Sequence, residues 1–167
     1  MDGALLLLRV VVGLLVAGHG AQKLFGWFGG HGLAGFAGWL ESMGFRPARG
    51  WAWLAGTAEF GGGLLFALGW LSPLGSIGIA SSMLTAIARA HWPKVWVTEG
   101  GLEHPLTNLA VVVAVGITGP GAYSLDAVLR TGLPGGLTAA LVIAALVGWL
   151  VGLAMSAAPQ AQPQRGT

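Results

Sequence analysis

Five apolar runs, each near the length of a lipid-spanning helix, dominate this chain and restrict what it can fold into. They are Ala4 to Leu24, Gly50 to Leu71, Pro73 to Ala90, Pro105 to Thr118 and Gly135 to Met155. A span takes roughly 20 mainly apolar residues. The fourth run is short and ends sharply at GITGPG; the fifth is the least interrupted. In lipid only helices and closed barrels satisfy the backbone. None of the runs alternates with period two, so helices are expected. Of the 167 residues 54% are hydrophobic and 8% charged, with mean hydropathy +0.75. A soluble domain carries about 25% charged residues, and this chain has too few to cover its own surface. The expected fold is all-α, an integral membrane bundle of four helices with a fifth C-terminal transmembrane helix. The 30 glycines agree, because membrane helices approach closely through small residues.

The absence of cysteine excludes a thiol relay, a disulfide and a cysteine-ligated metal or iron–sulfur cluster within this chain. The formal charge of +2 gives no reason to expect nucleic acid as a partner. The start, MDGALLLLR, does not read as a cleavable signal, because an acid stands where the positive region would be.

Residues 1–130 are expected to form the four-helix unit, 131–155 the additional transmembrane helix and 156–167 a disordered Pro/Gln-rich tail. Within the long first connection Leu33, Phe36, Ala37, Leu40 and Met43 recur at helical spacing. A short helix in the interface plane near 31–45 fits that pattern, as does a loop folded on the bundle. The second and third runs leave no room for a loop and predict a tight antiparallel hairpin. Alternating directions place Lys23, Arg46, Arg49, Arg89 and Lys94 on one side of the membrane, against Arg9 and Arg130 on the other. The positive-inside rule then makes the chain a multi-pass protein of the cell membrane with its N-terminus outside. Trp27, Trp39, Trp51, Trp92 and Trp96 fall near the cation-rich side, as an interfacial belt or as walls of a ring-binding cleft.

Ionisable groups inside spans usually face the bundle interior. At about 1.5 Å per residue, Lys23 and Arg89 sit within roughly 3 Å of their helix ends on the cation-rich side. Asn108 lies about 5 Å in, His19 about 7 Å and Glu59 about 13 Å. Lys23 is expected to snorkel to that interface and Arg9 to the opposite one, neither needing a special partner. His19 shares a face with Lys23, one turn on. If that face points inward it meets Glu59, Arg89 and His91, forming a polar pocket with Glu59 at its floor. An unpaired carboxyl at that depth keeps its proton, because burial disfavours the charged form.

Each residue also has a structural reading. His19 suits a core histidine bonded to a carbonyl, and Glu59 suits a strut to Arg9. Arg89 and Lys94 suit positive-inside charges, and Asn108 an interhelical hydrogen bond. Asp126 and Arg130 suit a surface pair four residues apart. The four histidines show no tight metal-ligand spacing, and no metal is expected. Gly61, Gly62 and Gly63 sit inside a span and suit close helix contact. Gly148 and Gly152 form a small-xxx-small pair, a packing or dimer face.

The stretches LLRVVVGLLVAGHGAQKLFGW, GTAEFGGGLLFALGWLSPLG, AIARAHWPK and GPGAYSLD resemble, in this order, the DoxX family of small bacterial and archaeal membrane proteins. The match covers about Leu5 to Leu129 and leaves the fifth helix outside it. The resemblance implies a four-helix membrane bundle associated with redox systems; relatives include the membrane subunit of a thiosulfate:quinone oxidoreductase. By motif it singles out His19, Gln22, Lys23, Glu59, Arg89, His91, Tyr123 and Asp126. The polar cluster and the resemblance together lead to a quinone-linked subunit. His19 and Lys23 or Arg89 would donate to the quinone carbonyls, and Glu59 would pass protons. Trp27 or Trp92 would wall the ring, with Gln22, His91 and Asn108 nearby, and a redox partner subunit would supply electrons. Two other classes stay open. One is a non-catalytic anchor or assembly subunit whose fifth helix docks a partner or a second copy. The other is a small proton-coupled transporter, which inverted repeats would favour.

Overall fold

The computed structural model describes residues 1–156. The expected tail lies, but for Ser156, outside the described residues. Those described form helices joined by turns, with no strand among them: α1 (Asp2–Phe25), α2 (Gly32–Ser42), α3 (Ala48–Leu68), α4 (Leu74–Ala86), α5 (Glu103–Thr118), α6 (Leu125–Leu129) and α7 (Gly135–Met155). Two of them, over Asp2–Phe25 and Gly135–Ala154, are long and apolar enough to cross a membrane.

Small residues set the spacing of α1 and α3. A Cβ added at Gly13 would lie 2.7 Å from the backbone of Gly63 and Ala67, and one at Gly63 would lie 2.6 Å from Ala17 N. Gly20 meets Phe60, and Gly56 meets Leu24. The partners descend along α3 as they rise along α1, so the two helices are antiparallel with their backbones in near contact. The opposite side of the triple glycine serves the hairpin. Gly62 packs on Gly75 and Ile79, while Gly78 packs on Ala58. Gly61 meets no neighbouring atom, so only two of the three act as close-contact positions.

Val16, Phe66, Ile79, Met83, Val112 and Val115 close the core between α1, α3, α4 and α5. The 31–45 segment folds as α2. Leu33, Phe36, Ala37, Leu40 and Met43 pack with Phe45 against Ala48, Trp51 and Ala52 at the start of α3. Their shared face is turned to the protein itself.

Near the N-terminus of α1, three sequence expectations are corrected. Arg9 is 1% exposed, and its Nη2 donates to Tyr123 O at 2.5 Å. It neither reaches an interface nor pairs with Glu59. Side chains on a helix lean toward its N-terminus, which carries the Arg9 guanidinium under the 121–126 turn. There it lies over Gly69, where a Cβ would collide with it; Gly69 is left-handed (φ 62) and ends α3. Asp126 does not pair with Arg130. It is buried and accepts from Leu71 N (2.9 Å), Ser72 N (2.7 Å) and Thr131 Oγ1 (2.9 Å). Ser124 caps α6 by accepting from Ala127 N. The GPGAYSLD stretch is thus a clasp joining the α3–α4 turn to the end of α5. Burial raises the Asp126 carboxyl, and the hydrogen bonds from Ser72, Thr131 and Leu71 more than reverse that, holding it below its ordinary value.

Helix α7 leans on α4 and the start of α3. Gly152 lies against Trp51, where a Cβ would sit 2.9 Å from the indole. The glycine pair offered by the sequence as a dimer face is therefore turned, at Gly152, to the chain's own α3. Most of the helix is uncovered, with 6% of its apolar window buried.

Candidate functional site

A cavity of about 980 Å³ opens between α2, α3, α4 and α7. Its wall is mostly apolar, with Phe36, Trp39, Trp51 and Trp149 among the large side chains. From α1, Lys23 also lines it. Lys23 Nζ donates to Glu59 Oε1 across the α1–α3 seam, forming an ion pair. Ser82 of α4 donates to the same oxygen at 2.6 Å. Glu59 is 2% exposed and the Lys23 side chain 28%, so the carboxylate is the dry partner. Lys23 also lies 5.0 Å from the centroid of Phe36 on α2, a favourable cation–π distance. The expectation that Lys23 snorkels free of a partner is corrected. At the C-terminal end of α1 a side chain leans back toward the helix N-terminus, away from the nearer interface and down toward Glu59.

The face shared by His19 and Lys23 divides. His19 Nδ1 meets Gln22 Oε1 at 3.0 Å, and its ring lies edge-on to His104 of α5, centroids 5.5 Å apart. Gln22 Nε2 donates to Phe28 O at 3.2 Å, holding the turn that follows Gly26. Asn108 Nδ2 meets His104 Nε2 at 3.3 Å. That contact is within α5, not between helices as the sequence reading had it. None of His19, Gln22 and Asn108 lines the cavity. Trp27 and Trp92 are exposed and do not line it either.

Arg89 and His91 do line it, from a π-helical turn, Ile87–His91, that continues α4. Both are occupied. Arg89 Nη2 donates to Leu153 O (2.5 Å) and Ser156 O (3.2 Å), capping the C-terminus of α7, where a cation suits the helix dipole. His91 Nδ1 meets Gly100 O at 2.7 Å.

Of the residues singled out from sequence, the structure gathers Glu59, Lys23, Arg89 and His91 at one cavity and leaves His19, Gln22, Asn108, Trp27 and Trp92 outside it. Sequence reasoning missed Ser82 and Trp149. The Ser81-Ser82 pair inside an otherwise apolar run was a signal for the first. For the second, the alternation of helix directions already put Trp149 at the level of Trp51. Three polar atoms of the cavity residues are buried without a partner among the described residues: Glu59 Oε2, Arg89 Nε and Trp149 Nε1. No three His, Cys, Asp or Glu side chains converge on one point among the described residues.

The family model described as DoxX matches residues 4–92, more than half of the chain. No curated protein and no solved structure matches it. The matched stretch carries the whole α1–α3 seam, the Lys23–Glu59 pair, Ser82, Arg89 and His91; α5, α6 and α7 follow it.

Proposed function

The chain belongs to the DoxX family, and on that premise we propose that it is a multi-pass membrane subunit seating a quinone in the cavity between α2, α3, α4 and α7. A partner protein supplies the electrons. Reduction of a quinone to its quinol takes two electrons and two protons, and the protein must provide a slot for the ring and a route for protons. The observation that carries this reading is the Lys23–Glu59–Ser82 group on the wall of a large, mostly apolar cavity. The cavity volume of about 980 Å³ is at the upper end of small-molecule sites. Glu59 is the proton-passing group of this reading, and Trp39, Trp51 and Trp149 replace Trp27 and Trp92 as the aromatic wall.

In the membrane, the exposed Leu7, Val11 and Leu15 of α1 and Ile143, Val147 and Leu150 of α7 meet acyl chains. Lys23 and Arg89 are engaged inside the protein and do not report orientation. Arg46, Arg49 and Lys94 still outnumber Arg130 on the opposite side, which favours a cell-membrane protein with the N-terminus outside.

The full-length chain in lipid nanodiscs tests this. A short-tailed benzoquinone should bind saturably, quenching tryptophan fluorescence, and Lys23→Met should weaken binding at least about tenfold, the size of one charge-assisted contact. Unsaturable partitioning that is the same in both proteins refutes the site.

A second reading is favoured by Arg89 and Asp126, whose hydrogen bonds tie helix ends together. A non-catalytic anchor would use its polar groups in this way and dock its partner on the open face of α7. Loss of a soluble redox enzyme from pull-downs on deleting 135–155, with Lys23→Met retaining it, supports the anchor.

A further inference from the structure

The buried donors and acceptors around the cavity are unevenly committed. One N–H of the Lys23 ammonium is donated to Glu59 Oε1, and Arg89 Nη2 serves the end of α7. The hydroxyl protons of Ser82, Ser81 and Thr85 go to Glu59 Oε1, Ile77 O and Ser81 O. Glu59, paired with an ammonium, is a carboxylate and can only accept. Its Oε1 holds two donors, whereas its Oε2 is buried and holds none among the described residues. Two N–H groups beside the same cavity, Trp149 Nε1 and Arg89 Nε, are buried without an acceptor.

A buried polar atom without a partner is costly. The ligand that removes the cost here must bring a donor for Glu59 Oε2 and an acceptor for the indole or guanidinium N–H. A quinone offers carbonyl oxygens only; set beside a carboxylate, one of them faces another lone pair. A quinol offers a hydroxyl at each end, and each hydroxyl both donates and accepts. We infer that the cavity discriminates by oxidation state, binding the quinol more tightly than the corresponding quinone through an O–H donated to Glu59 Oε2. The inference rests on the proposed quinone site and adds which form that site holds.

The chemical consequence follows from linkage. Binding the reduced form more tightly than the oxidised one makes the bound quinone easier to reduce. A tenfold preference raises its two-electron potential by about 30 mV.

The experiment uses the full chain in nanodiscs and three probes sharing one ring and one short saturated tail: the benzoquinone, its quinol kept reduced under argon, and the quinol bis-methyl ether. The ether keeps the shape and removes both O–H groups. A hydrogen bond to a charged group corresponds to about tenfold to hundredfold in affinity. The quinol should therefore bind at least about tenfold more tightly than both the quinone and the ether. In Glu59→Gln the amide offers a donor as well as an acceptor, and the preference should fall to within about threefold. Quinone binding as tightly as quinol, or ether as tightly as quinol, overturns the inference and leaves the site standing. A preference that survives Glu59→Gln overturns the assignment to Glu59. Saturable binding of none of the three removes the site itself, and the inference with it. The comparison of probes needs no variant, so it decides even if Glu59→Gln does not fold.

Discussion

Removing either member of the Lys23–Glu59 pair should be unequally costly, and the inequality follows from burial. Glu59 is 2% exposed and the Lys23 side chain 28%. In Lys23→Met the carboxylate keeps only Ser82 as a protein donor and is left largely out of water. Stripping one partner from a buried pair costs about 3–5 kcal/mol, and this half of the pair belongs near the upper end. In Glu59→Gln the ammonium is released instead, and its flexible stem can carry it to solvent. The cost is then a lost charge-assisted hydrogen bond in a partly wet position, about 1–2 kcal/mol. The double variant Lys23→Met/Glu59→Gln leaves no charge behind. It should cost well under the sum of the two, with a coupling of about 1–3 kcal/mol. Titrating the micelle-bound protein with a denaturing detergent, followed by tryptophan fluorescence, gives the free energies. Equal costs, a larger cost for Glu59→Gln, or simple additivity would show that burial does not govern this pair.

Three other outcomes are expected. Gly20→Ala places a Cβ against the Phe60 backbone, which cannot yield as a side chain would, and should cost about 1–3 kcal/mol or more; Gly61→Ala, in open space, should be near neutral in the same titration. Asp126 has a folded-state value below its ordinary 3.8, so its stabilisation is complete above that pH and is lost as pH falls through the lowered value; an acid melt of Asp126→Asn should start about 1–2 kcal/mol less stable at neutral pH and lose less on acidification than the parent. Arg89→Gln should free the C-terminus of α7, seen as faster amide hydrogen exchange over 149–156, with α1 and α3 unchanged.

Much of the fold was legible in the sequence. The apolar runs Ala4 to Leu24, Gly50 to Leu71 and Pro105 to Thr118 marked α1, α3 and α5 to within a few residues, because the left-handed Gly26 and Gly69 and the GITGPG stop end these helices through backbone chemistry local to each end. The face of α2 could be read from five residues at helical spacing. Helix α6 escaped notice because five residues carry no periodicity, though Ser124 before an Asp-containing turn was a capping signal. The site was only half legible. Depth along the membrane normal put Glu59 well below Lys23 and ignored the lean and length of the lysine stem, which close that gap. Which neighbour each polar side chain meets depends on rotation about the helix axis, and glycine-rich faces leave that rotation undetermined until the helices are packed. His19 and Lys23 show this: one turn apart on α1, they address α5 and α3 respectively.

The glycine contact between α1 and α3 also limits how the protein can move. With backbone against backbone there is no side chain to flex, so these two helices can shift only together, and the lysine and glutamate they carry stay in step. Sliding one past the other by a single residue would lift Lys23 by about 1.5 Å and swing it about 100° round the axis. If a bulky ring enters as proposed, it would have to be accommodated on the far wall, where α7 touches the rest through Trp51, α4 and one arginine. On that proposal the α1–α3 pair would be the fixed jaw and α7 the moving one, so a partner gripping α7 would hold the handle of the door.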